Sequence, residues 1–331
     1  MSGERCRHKI QARGSGRRSH AIGLGANFAA DTSLALAFRL RDRHRQHVVS
    51  LPISFVITSV ARRLARRAAA LLLTAPPLAT ADAQRVLTVL ARDTMLESSP
   101  SLPAGLTTFR LVLKGKVRRD LVVHRIPAGT TPEALVRGAA GRSERWFEQG
   151  SFGGPAVPRD SAPDAMVTVD LRPGRYALVS YEVDPAGRPR GDKYLWRDVT
   201  AIAASVLIPS RFAVPDATIK VKDGKIDVLG GLRTGQRTLQ IENNGGRPHE
   251  LLIGRLKPGK TVDDVRRWDR DRADPPPFVY VGGLTPMSSG LVAQTRLVLQ
   301  RGEHVVLCSM RHAHERERDY QRGVMASFRV N

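Results

Sequence analysis

One pattern occurs twice in this chain, and it constrains the fold more than any other feature. DLVVHRIPAGTTPEALVR at 120–137 is matched by ELLIGRLKPGKTVDDVRR at 250–267, with Gly129 on Gly259 at an offset of 130. The pair Gly153-Gly154 then matches Gly282-Gly283 at an offset of 129. VDLRPGRYALVSY at 169–181 matches LVLQRGEHVVLCS at 297–309, with Gly174 on Gly302 at an offset of 128. Three landmarks in one order at a nearly constant offset mark a duplicated domain, since solenoid periods are far shorter. The chain of 331 residues has room for two domains of ordinary size. We place them at 84–205 and 212–331, with the linker running through Pro209 to Pro215.

Within each copy the segments are short, β-branched and punctuated by Gly, Asn or Pro, as in TIKVKDGKIDVL, RTLQIEN, EHVVLCSM and VMASFRV. Their spacing predicts an all-β fold of two tandem Greek-key β-sandwiches. One short helix is expected per copy. Thr131 caps the first, with Pro132 at its first position, and Thr261 with Asp264 forms a capping-box pattern before the second.

The net charge of +22 is inflated by the N-terminus, where the first 83 residues carry 14 Lys and Arg against 4 Asp and Glu. The remaining Arg residues are scattered, and aromatics make up only 5%. That argues for a solvated basic surface rather than a specific nucleic-acid partner. The stretch ARRLARRAAALLLTAPPLATADAQ at 61–84 has a basic region, a short apolar run and small-residue cleavage patterns ending at Ala81 and Ala83. This is the layout of a secretory signal peptide, too short to span a bilayer. We therefore expect a signal peptide at 56–83, a non-native or disordered extension at 1–55, and a periplasmic or secreted protein without a transmembrane segment. Cys6 falls in the discarded part, which leaves Cys308 as the one thiol of the exported chain, either buried or a metal ligand.

ENNGGRPHELLI at 242–253, followed by VVLCSMRHAH at 305–314 and RGVMASFRV at 322–330, resembles the cupredoxins, the type 1 blue copper proteins. The resemblance implies one copper ion in the second copy, for electron transfer or copper handling, and a redox partner protein or envelope component. By the same resemblance, His249 would be the first nitrogen ligand, Cys308 the thiolate, His314 (or His312) the second nitrogen ligand, and Met325 the axial thioether. In a long-loop alignment the second histidine falls near Asp319 or Tyr320 instead. Copper in this role takes a His, His, Cys-thiolate set with a weak axial thioether. In the first copy Arg119 stands on His249 and Ser180 on Cys308, so that copy lacks the ligands.

Each of these residues also has an ordinary structural use. His249 can bond a loop carbonyl, Cys308 can fill a core, His312 and His314 can be solvated or form a surface metal store, and Met325 can pack. His124 and His304 lie in strand patterns and match no ligand. A metal-free binding or structural module of the envelope is the alternative reading. No Walker-type loop, Gly-x-Ser-x-Gly elbow or His-Glu-x-x-His pair is present, and the second copy lacks the extra histidines of copper oxidases. The expectation is that the chain is not an enzyme.

Overall fold

The computed structural model describes residues 85–331, apart from 141–144, 159–163, 185–188, 204–210, 270–273 and residue 313. The expected N-terminal extension and signal peptide lie outside the described residues. The first half contains β1 (Arg85–Ala91), β2 (Leu96–Glu97), β3 (Ser101–Pro103), β4 (Gly105–Leu113) and β5 (Arg119–Arg125). Helices α1 (Pro132–Ala140) and α2 (Arg145–Glu148) follow, then β6 (Pro155–Ala156), β7 (Asp164–Leu171), β8 (Gly174–Val183) and β9 (Pro189–Ile202). The second half contains β10 (Ala217–Lys222), β11 (Lys225–Leu229), β12 (Gly235–Asn243), β13 (His249–Leu256) and α3 (Val262–Arg267). It ends with β14 (Phe278–Met287), β15 (Val292–Leu299), β16 (Gly302–Cys308) and β17 (Met325–Val330). The fold is all-β, with three short helices among the described residues. No helix among the described residues is long and apolar enough to cross a membrane.

One sheet of eight strands, ordered β11-β10-β12-β15-β7-β4-β1-β2, runs through both halves. The order reads the same from either end once each strand is exchanged for its counterpart in the other half. At the junction Val167 pairs with Thr295, which is its own counterpart at the offset of 128. In each half the first strand pairs in parallel with a later one, β1 with β4 and β10 with β12. That arrangement requires a crossover, as in a Greek key. The second layer consists of β3-β9-β8-β5 in the first half and β17-β16-β13-β14 in the second, with β6 of the first half added at the edge beside β14.

Burial explains the residue choice. β10 alternates, with Ala217, Ile219 and Val221 facing inward and Thr218, Lys220 and Lys222 less buried. The inner strands β5 and β13 are covered on both faces and are buried almost throughout. One apolar cluster lies between the layers and contains Leu121, Leu178, Leu251, Val306 and Cys308. A second packs outside the smaller sheet of the second half, joining Leu252, Val305, Leu307 and Met325 to Trp268 and Tyr320. Each such fully buried aliphatic side chain contributes about 2 kcal/mol.

Two glycines set the strand spacing. A Cβ on Gly154 would lie 2.2 Å from the Leu121 carbonyl oxygen, and one on Gly283 would lie 2.0 Å from that of Leu251. The capping box at Thr261 and Asp264 forms as the sequence predicts. The first half departs from the expectation of a single helix by adding the one-turn α2. Trp146 anchors that turn, its indole N–H donating to the Leu135 carbonyl at 2.8 Å while its ring lies 4.3 Å from that of His124.

Candidate metal centre

The pairing of β13 with β16 puts Leu251 opposite Cys308, so the start of one strand lies beside the end of the other. His249 opens β13 and Cys308 closes β16. Both are buried, and His249 Nδ1 lies 3.3 Å from Cys308 Sγ. The other ring nitrogen, Nε2, faces Asp223 Oδ1 at 3.3 Å. Asp223 is held in the β10–β11 turn by the backbone N–H groups of Gly246 at 3.0 Å and Arg247 at 3.3 Å. Gly245 permits this approach, because a Cβ there would be 2.4 Å from Asp223 Oδ1 and 2.9 Å from His249 Nε2. Burial of Asp223 works to raise its pKa, but the bonds from Gly246 and His249 outweigh it and hold the carboxyl below its usual range. With its proton held on Nε2 by this carboxylate, the ring would offer Nδ1 to a metal ion. Metal-binding histidines are commonly oriented this way, by a carboxylate on the far nitrogen.

The segment between β16 and β17 turns back over these two residues. Tyr320 N–H donates to Cys308 O at 2.9 Å, Cys308 N–H to Val324 O at 3.0 Å, and Asp319 N–H to Met310 O at 2.9 Å. Tyr320 is fully buried and its hydroxyl donates to the Trp268 carbonyl at 2.7 Å, which fixes the turn against the outer cluster. As a result Asp319, only 1% exposed, is carried to the centre. Its Oδ2 lies 3.5 Å from His249 Nδ1 and 3.0 Å from His312 Nε2, while Arg322 pairs with Oδ1. Burial works to raise the pKa of Asp319, yet the hydrogen bonds from His249 and His312, with Arg322, hold it far below the ordinary carboxylate range.

Burial pushes the Cys308 thiol well above its usual pKa, and the charge of Asp319 adds to this. The backbone N–H groups of Met310 and Glu250 act in the opposite direction by donating to the sulfur. Donor atoms of His249, Cys308 and Asp319 all lie within 4.8 Å of one another, as do those of His312, Glu315 and Asp319. A thiolate sulfur, an imidazole nitrogen and a carboxylate oxygen in one buried place suit copper or zinc better than a hard cation such as magnesium. On this chemistry the residues present fit a copper ion.

Of the residues singled out by sequence, the structure brings together His249, Cys308 and His312, with the two imidazole centroids 6.3 Å apart. His314 is not among them. It is exposed, in a turn with φ 69°. Met325 pairs with Leu307 in the β16–β17 register, and both pack in the outer cluster on the face opposite Cys308. Strand alternation gives the reason, since residues paired with Leu307 share its face and not that of Cys308. Sequence reasoning missed Asp223 and the ligand character of Asp319. It also passed over Met287, which pairs with His249, and Met310; both share the inner cluster with Cys308. His124 is structural, with its two ring nitrogens 2.7 Å from the carbonyl oxygens of Arg125 and Trp146.

In the first half the same strand ends hold different side chains. Leu121 pairs with Ser180 as Leu251 pairs with Cys308. Arg119 donates to the Asp93 carbonyl at 3.1 Å, and Asp93 caps its turn through the N–H groups of Lys116 and Val117.

No family model and no curated protein matches the chain. Solved structures similar to it include reduced auracyanin from the photosynthetic bacterium Roseiflexus castenholzii, at 17% identity over 34% of this chain and 94% of that one, with a TM-score of 0.26. A copper nitrite reductase from Nitrosomonas europaea is similar at 14% identity over 75% of this chain and 93% of that one, TM-score 0.21. A multicopper oxidase from Pediococcus acidilactici is similar at 11% identity over 75% and 59%, TM-score 0.20. These findings correct the expectation that the chain is not an enzyme. Nitrite reductases and multicopper oxidases, which these structures are, act as enzymes.

Proposed function

We propose that this chain is an exported, tandemly duplicated protein of the type 1 copper kind, whose second half holds one copper ion for electron transfer or copper handling. The observation that carries this reading is the convergence of His249 Nδ1, Cys308 Sγ and Asp319 Oδ2 in a buried place with Asp223 behind the imidazole. Bound copper would supply one-electron chemistry there. His249 is presented through Nδ1, and Asp223 fixes its tautomer and ring plane. Cys308 would hold the ion as a thiolate, its proton released to solvent, and the amides of Met310 and Glu250 would stabilise that thiolate. Asp319 would complete the set, and His312 lies on the same carboxylate oxygen at 3.0 Å. The first half is a degenerate copy that keeps the scaffold and lacks the donors, and it serves a structural or partner-binding role. A redox partner or envelope component would meet the protein outside the cytoplasm.

The test is copper stoichiometry by elemental analysis after dialysis of the full chain against Cu(II). The reading expects one copper per chain in the wild type and none retained in Cys308→Ser. Equal retention by both would refute the thiolate set. Retention by neither would favour the metal-free module, a reading supported by how far His312 and Arg322 already satisfy Asp319.

A further inference from the structure

An irregularity in β14 changes which side chain of that strand meets His249. β13 and β14 pair Leu252 with Gly283 and Leu251 with Leu284, a register that would carry Pro286 to His249. A bulge at Thr285 and Pro286 intervenes, and His249 pairs with Met287 instead. Bulges re-aim side chains in this way, and a proline, which has no N–H for the ladder, is accommodated there. Without the extra residue Met287 would face the outer cluster, as Met325 does. With it, Met287 joins Leu251, Leu284 and Cys308 in the inner cluster and is 1% exposed. Residues directly opposite in an antiparallel pair share a face, with Cβ atoms about 4.5–5.5 Å apart.

The first half holds this bulge in place. Ser151, fully buried, donates its hydroxyl to the Pro286 carbonyl at 2.6 Å and its N–H to Ser288 Oγ at 3.0 Å. Ser288 returns its N–H to the Ser151 carbonyl at 2.8 Å and its hydroxyl to that of Phe147 at 2.7 Å. Thr285 donates its N–H to the Gly154 carbonyl at 3.1 Å. From the second half, Asn243 Nδ2 donates to the Met287 carbonyl at 2.9 Å. The backbone on both sides of Met287 is thus fixed, whereas Met310 lies beyond the end of β16, where no strand register directs its side chain. At the offset of 129 the first half has Pro158 in place of Met287, so the thioether belongs to the half that has the imidazole and the thiol.

We propose that Met287 is a sulfur donor to the metal centre, and that Ser151 of the first half is the positioning residue that keeps it there. This rests on the reading that the second half holds copper. A thioether is soft and polarisable, and it suits copper as a weak further donor beside an imidazole and a thiolate. It also favours the monovalent ion, because thiolate and thioether sulfur select Cu(I). The first half, which lacks donors of its own, thereby shapes the centre of the second.

The probe is Ag(I), a diamagnetic stand-in for Cu(I), added to the reduced, metal-free full chain labelled with [methyl-¹³C]methionine. The Met287 methyl resonance, identified by its loss in Met287→Leu, should move and saturate with the site, while that of Met325 stays in place. Met287→Leu keeps the volume and should weaken Ag(I) about tenfold, or ~1.4 kcal/mol. Ser151→Ala should diminish the Met287 shift and leave Met325 unmoved. An unmoved Met287 methyl at full occupancy, movement of Met310 in its place, or unchanged affinity in Met287→Leu would overturn the inference and spare the copper reading. An undiminished shift in Ser151→Ala would overturn the part given to the first half. Absence of any Ag(I) binding that depends on Cys308 would overturn the inference and the copper reading together.

Discussion

The ends of β5 and β8 in the first half and of β13 and β16 in the second are built to one plan and filled differently. Each has a leucine facing the key position, Leu121 on Ser180 and Leu251 on Cys308. Each has an aspartate capping the preceding turn, Asp93 or Asp223, pressed by a glycine whose Cβ would lie 2.0 Å or 2.4 Å from its carboxylate. Each has a glycine packed on that leucine's carbonyl. The side chains at the strand ends differ. Arg119 turns to the Asp93 backbone, and Ser180 Oγ is buried without a hydrogen-bond partner among the described residues, whereas His249 and Cys308 face one another. The segment joining the last two strands differs as well. In the second half it is long enough to carry Asp319 and His312 over the strand ends. The scaffold therefore depends on backbone spacing, and the centre depends on a handful of side chains plus one turn.

The comparison breaks most severely at the shared glycines. Gly154→Ala and Gly283→Ala should each destabilise the protein by about 3 kcal/mol or more, since the new Cβ would strike a strand carbonyl. Chemical denaturation checks this, and a large loss in only one half would show that the scaffolds are not equivalent. Next come the strand ends. Cys308→Ser should lower copper affinity more than ~100-fold, or ~2.8 kcal/mol, whereas Ser180→Cys should create no copper site, because Arg119 stands where an imidazole is needed; competition against a chelator measures both. Asp223→Asn should weaken copper binding about 10- to 100-fold through loss of the oriented imidazole, while Asp93→Asn should leave it unchanged in the same assay. The helix caps form the smallest contrast. Thr131→Ala and Thr261→Ala should each cost about 1 kcal/mol in thermal or denaturant unfolding, as both threonines accept a backbone N–H at 3.2 Å.

Much of this was legible in the sequence, for physical reasons. Strand alternation, the glycine landmarks and the capping box are local signals, and they correctly marked β5, β8, β13, β16 and α3. His249 and Cys308 were singled out by the resemblance to cupredoxins, and the β13–β16 register sets the start of one strand beside the end of the other so that the two side chains meet. The second nitrogen donor was not legible, because the turn at 309–324 is shaped by a distant contact, the Tyr320 hydroxyl on Trp268. Alignment did point at Asp319, though as the place of an absent histidine rather than as a donor in its own right. Met325, named as the axial thioether by the same resemblance, sits elsewhere in the structure. Its pairing with Leu307, one residue from Cys308, reverses the face it occupies.

The most direct test of the central claim is the visible absorption of the reduced, metal-free full chain titrated with Cu(II). The account predicts an intense thiolate-to-copper band that saturates at one copper per chain and is missing in Cys308→Ser. A titration that stays colourless, with Cys308 still available to a thiol reagent after unfolding, would contradict it and leave a sandwich that keeps the scaffold without the metal.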